Sequence, residues 1–84
     1  MIDIFESTPR DKLIDIVRNA SPAVVAKELE RVFEELVIMR EFCDKNGFNE
    51  AMINSYKAQN PDVLEDGLND LYIALSGEIL SQNE

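Results

Sequence analysis

All three prolines of this chain stand directly behind a residue whose side chain caps helices: Thr8-Pro9, Ser21-Pro22 and Asn60-Pro61. A hydroxyl or amide oxygen at the cap accepts from an orphan N–H of the first turn. Proline fits the next position, where no N–H is needed and its fixed φ suits the helix. Acids follow in the first turn at Asp11 and Asp62, where the helix dipole favours them. Asn46-Gly47 is the strongest stop, because glycine there can take the left-handed conformation that closes the last carbonyls. Phe48 follows where a Schellman motif wants an apolar contact, and Asn49-Glu50 opens the next segment.

These signals predict an all-α bundle of four helices, at about 9–20, 22–45, 49–59 and 61–80, within one domain spanning 1–84. No alternating run of β-branched residues argues for a sheet, although Met1 to Phe5 alternates weakly and is expected to be extended. Gly67 and Gly77 lie inside the last helix, and Gly67 marks a place where it bends or breaks.

The second helix carries Val25, Leu29, Val32, Leu36, Met39 and Cys43, spaced four, three, four, three, four. That is the 3.5-residue seam of knobs-into-holes packing. Leu64, Leu68, Leu71 and Leu75 repeat it more loosely in the fourth helix. Two long helices packed antiparallel, covered by two short ones, is the architecture this predicts.

The second helix has more apolar surface than one seam uses. Val24, Phe33, Val37, Ile38 and Phe42 lie off it, and residues 71–75 of the fourth helix are also apolar on most sides. A helix apolar all round is expected to be buried all round. A chain of 84 residues is short of core, and disulfides, metals or a partner subunit commonly make up the shortfall. One cysteine and no histidine exclude an intramolecular disulfide and any Cys/His zinc site. The apolar surface around Val32, Leu36, Ile38, Met39, Phe42, Leu71, Tyr72 and Leu75 is therefore expected to meet a protein partner or a second copy, a dimer first of all.

Charge narrows the partners. Residues 1–57 hold all eight Lys/Arg against eleven acids, a balance of −3, while 58–84 hold six acids and no base, a balance of −6. Such a field repels phosphates and acidic membranes, so neither direct nucleic-acid binding nor membrane association is expected. No apolar run approaches the ~20 residues of a membrane span. The acidic start lacks the basic region of a signal peptide, and a cytoplasmic setting with a reduced thiol is expected.

Catalytic chemistries lack their residues. Triads and Cys–His pairs need histidine, and the three glycines are isolated rather than gathered in a phosphate loop. A calcium loop counted from Asp62 puts Leu64 and Ile73 where oxygen ligands are needed. Size, charge and helix count match acyl carrier proteins, but their Asp-Ser-Leu motif is missing and Ser21-Pro22 reads as a helix start. A helix-turn-helix over residues 42–56 would have one basic residue, Lys57, on or beside its reading helix, too few for DNA. No enzyme, cofactor or metal is expected.

The leading expectation is a non-enzymatic interaction or regulatory module that self-associates. The alternative is an acidic inhibitor that mimics nucleic acid, of the sort a bacteriophage accessory protein supplies. Its face would be Asp62, Glu65, Asp66 and Asp70, occupying the basic groove of a nucleic-acid-binding or defence protein.

Overall fold

Four helices follow one another with little between them: α1 (Pro9–Asn19), α2 (Pro22–Lys45), α3 (Glu50–Gln59) and α4 (Pro61–Gln82). The computed structural model describes residues 8–82, and the expected extended segment Met1–Phe5 lies outside them. All four boundaries fall within a residue or two of the capping signals. No strand occurs among the described residues.

The caps work as local chemistry dictates. Thr8 and Asp11 form a reciprocal capping box: the Asp11 N–H donates to Thr8 Oγ1 at 3.1 Å, and the Thr8 N–H donates to Asp11 Oδ2 at 3.5 Å. Asn49 Oδ1 accepts from the Met52 N–H at 2.9 Å. The Ser21 side chain makes no capping hydrogen bond to α2, contrary to the expectation, and its backbone carbonyl accepts the first bond of the helix, from the Val25 N–H at 3.1 Å. At the end of α2, Gly47 takes φ +80°. The Phe48 N–H then reaches back to the Cys43 carbonyl at 2.8 Å, and the Gly47 N–H to Asp44 at 3.4 Å. This is a Schellman motif, and it sets the corner from which α3 departs. Gly67 does not interrupt α4, which runs through it unbroken to Gln82.

Packing is uneven. The most extensive contact is α1 against α4, with α2 and then α3 touching α4 less. Along α4, Tyr72, Leu75 and Ser76 are half-buried and Ile79 is buried at 3% exposure. Their three-to-four spacing makes one stripe, and it lies in the C-terminal half of the helix. On α1, Leu13, Ile14 and Ile16 are half-buried, as are Val24, Val25 and Val32 near the start of α2.

Glu28 of α2 is buried as deeply as Ile79, at 4% exposure. Its Oε1 accepts from Gln82 Nε2 of α4 at 2.7 Å, and its Oε2 accepts from Arg31 Nε at 3.1 Å. Both oxygens are thus occupied, as burial of a carboxylate requires. Ser76 Oγ nearby in α4 is buried without a hydrogen-bond partner among the described residues.

The remainder of the chain is open. Its Cα radius of gyration is 15.5 Å, against about 12 Å for a compact domain of this length. Its extents are 42 × 29 × 16 Å, and the smallest admits about two layers of helix axes. No side chain among the described residues is fully buried. The two long helices therefore do not bury each other's seams along their length. Leu29, Leu36 and Met39 of α2 and Leu64, Leu68 and Leu71 of α4 all stay exposed.

Candidate interaction surface

The open end is built from the C-terminal half of α2, all of α3 and the N-terminal half of α4. Its apolar side chains gather in three places. Leu36, Met39 and Cys43 of α2 face Phe48 and Ile53 across the corner made by Gly47, around a hollow of about 440 Å³. Ile53 and Tyr56 of α3 and Leu64, Leu68 and Leu71 of α4 line a groove of about 360 Å³ with Gly67 between them. On another side of α2, Phe33, Val37 and Ile38 line a shallow, open hollow of about 620 Å³ together with Glu30 and Glu34.

This arrangement divides the expected surface. Leu36, Ile38, Met39, Phe42 and Leu71 are exposed, Val37 and Met39 at 64% and 60%. Val32, Tyr72 and Leu75 are half-buried. Tyr72 and Leu75 share the stripe of Ile79 and so belong with the packed end. The α2 and α4 patches do not form one continuous face. Helix α3 stands between them, with Ile53 lining both hollows.

Sequence reasoning treated α3 as a cover and overlooked Ile53, Tyr56 and Phe48 as surface. Their spacing was visible: Phe48, Met52 and Tyr56 recur every four residues, and Ile53 sits three before Tyr56. On α3 this gathers Met52, Ile53 and Tyr56 on one side, with Phe48 just ahead of the cap residue Asn49. What periodicity does not reveal is whether that side is covered. Phe48, Met52, Ile53 and Tyr56 are all exposed.

The ion pairs among the described residues all lie within single helices. Arg31 bridges Glu28 and Glu35, with Nη2 to Glu28 Oε2 at 3.1 Å and Nη1 to Glu35 Oε1 at 2.9 Å. Lys45 Nζ reaches Glu41 at 3.5 Å. The hydrogen bond from Gln82, assisted by Arg31, holds the Glu28 carboxyl below its ordinary value of 4.5 against the opposing effect of burial. Glu28 in turn raises Arg31 above its ordinary value. Asp62, Glu65, Asp66 and Asp70 are all exposed on α4 and make no ion pair among the described residues. No group of three or more acids, cysteines or histidines with metal-binding geometry occurs among the described residues. No helix among them is long and apolar enough to cross a membrane.

Fold and surface together define an open, all-α, four-helix protein with a packed end and an apolar unpacked end. The chain belongs to the family described as DUF2018, a domain of unknown function, which matches residues 5–84. Its fold is that of the hypothetical protein Cj0539 from Campylobacter jejuni: 31% identity, a TM-score of 0.88, and coverage of 95% of this chain and all of that one. No curated protein shows significant similarity to it. Neither description carries an activity, so function is argued from the surface.

Proposed function

We propose that this protein is a non-enzymatic interaction module, an adaptor or regulator, that completes its core by self-association through the apolar surfaces of α2, α3 and α4. The observation that carries the reading is the area left bare. One chain exposes 6959 Å², whereas a compact monomer of 9.5 kDa exposes about 5,000 Å². The excess is about 1,900 Å² per chain, so a pair of copies has roughly 3,800 Å² to bury. That is the range of obligate homodimers. Much of what is bare is apolar side chain, at Leu36, Met39, Ile53, Leu68 and Leu71 among others, and large exposed apolar patches mark interaction sites. We place the protein in the cytoplasm, where the free thiol of Cys43 would stay reduced.

Light scattering across a concentration series at two salt levels tests this. A mass of twice 9.5 kDa, little changed by salt, supports a hydrophobic assembly. A monomer at every concentration removes the reading.

A second reading draws on a separate observation, the unneutralised acids of α4. Asp62, Glu65, Asp66 and Asp70 would stand in for phosphates and make the protein an inhibitor of a basic groove. Reversing these charges together would abolish mimicry and leave a hydrophobic dimer at the same mass. An inhibition assay against a nuclease or polymerase, run beside light scattering, separates the two.

A further inference from the structure

We infer that Glu28, Arg31 and Gln82 form a polar lock that selects the register of α4 against α2 at the packed end. The lock acts within one chain and holds whether or not copies associate.

Apolar contacts alone leave this register open. On α4, Leu64, Leu68, Leu71, Leu75 and Ile79 follow one another at three or four residues. Sliding the helix by one turn, about 5.4 Å, therefore replaces one aliphatic side chain by the next. On α2, Val25, Leu29, Val32 and Leu36 repeat in the same way. Two such seams fit nearly as well one turn apart, and a single polar residue among apolar ones is what fixes register in coiled coils.

Glu28 stands in such a position. It lies three residues after Val25 and four before Val32, both half-buried, and is itself buried. The bond from Gln82 Nε2 to its Oε1, at 2.7 Å, joins residues 54 apart in the chain. The other side-chain hydrogen bonds between described residues span three or four. Among the described residues, Gln82 is thus the donor that α4 presents to Glu28. One turn back along the same face stand Glu78 and Ile79. A slip that brought Ile79 opposite Glu28 would leave a buried carboxylate oxygen without a donor. A slip that brought Glu78 there would set two carboxylates together. Arg31 holds the other oxygen from within α2, at 3.1 Å, and so stays with Glu28 in every register. Selection falls to Gln82.

The other charges nearby do not replace it. Lys27 acts on Glu28 from its own helix, and Glu35 and Glu78 act on Arg31. None of them is a donor carried by α4. Removing both partners of such a buried contact costs little stability when apolar groups replace them, and what is lost is uniqueness. Because α4 runs unbroken from Pro61 to Gln82, holding its last turn also sets where Leu64, Leu68 and Leu71 stand at the open end.

The test is amide NMR of the full chain near pH 7 and at about pH 4, with helical content followed by circular dichroism. Gln82→Glu places two carboxylates face to face. Near neutrality its α4 resonances, read at Gly67 and Gly77, are expected to split or broaden, and to return to one set in acid, where the pair shares a proton. Ser81→Glu adds the same charge at an exposed neighbour and is expected to keep one set at both pH values. Exchanging the pair, Glu28→Gln with Gln82→Glu, keeps one donor and one acceptor and is expected to restore the single set near neutrality. Glu28→Leu with Gln82→Leu is expected to keep its helices and show more than one set. The lock is overturned by a single, sharp set in Gln82→Glu near neutrality, or by equal disturbance from Ser81→Glu. It is equally overturned by an exchanged pair that stays heterogeneous, by a leucine pair as uniform as the parent or stripped of its helices, or by a parent that itself shows several sets.

Discussion

The two ends of the molecule use the same kinds of residue to opposite effect. Around Ile79, three helices converge: α1, the start of α2 and the C-terminal half of α4 share one small core and one buried hydrogen-bonded carboxylate, Glu28. At the other end, Leu36, Met39, Ile53, Leu68 and Leu71 are as apolar as anything beside Ile79, yet all stay exposed. Composition does not distinguish the ends. The difference lies in topology, because α1 is available to cover only one half of α4. The chain thus closes a core at one end, from segments far apart in sequence, and leaves an apolar surface open at the other.

The largest effect is expected at the packed end. Ile79→Ala removes the one buried apolar side chain among the described residues and should cost about 2–5 kcal/mol. Thermal unfolding followed by circular dichroism measures it. The open end should answer differently. Met39→Glu, or Leu36→Glu, is expected to reduce the solution mass to that of a single chain while the helices persist at low concentration. If Met39→Glu instead unfolds the dilute chain as Ile79→Ala does, the two ends are one cooperative core and the comparison fails.

The corner between the ends should be intermediate. Gly47 holds φ +80° with open space around its Cβ position, so Gly47→Ala adds backbone strain without a clash. A loss of about 1–2 kcal/mol follows, measurable as a lower denaturant midpoint. The subtlest effect is in pH dependence. The Glu28 carboxyl is lowered in the folded state, so its stabilisation is fully present above the ordinary carboxylate value. It disappears as pH falls through the lowered one. The difference in melting temperature between the parent and Glu28→Gln should therefore be steady near neutrality and shrink in acid. A difference that grows in acid would mean that Glu28 is not held ionised by Gln82 and Arg31.

The helix boundaries were legible because capping is local: Thr8, Asn49 and Gly47 act on groups within five residues of themselves. The continuity of α4 through Gly67 was not, since propensity alone disfavours it and nothing nearby decides the matter. The placement of the core was only half legible. The seam through Leu64, Leu68 and Leu71 and the stripe through Leu75 and Ile79 share largely one face of α4, in its two halves. Periodicity marks both halves as apolar and says nothing about which of them α1 covers. Glu28 gave no warning at all. It lies among acids of an exposed type, and its partner Gln82 is 54 residues away.

That long separation bears on how the protein is made. The chain grows from its N-terminus at about 5–20 residues per second, so α1 and α2 emerge with no surface to close against. Their partner is the C-terminal half of α4, the last described helix to be synthesised. The apolar length of α2 therefore spends several seconds on or near the ribosome without a core to join. The packed end does not exist until α4 has been made.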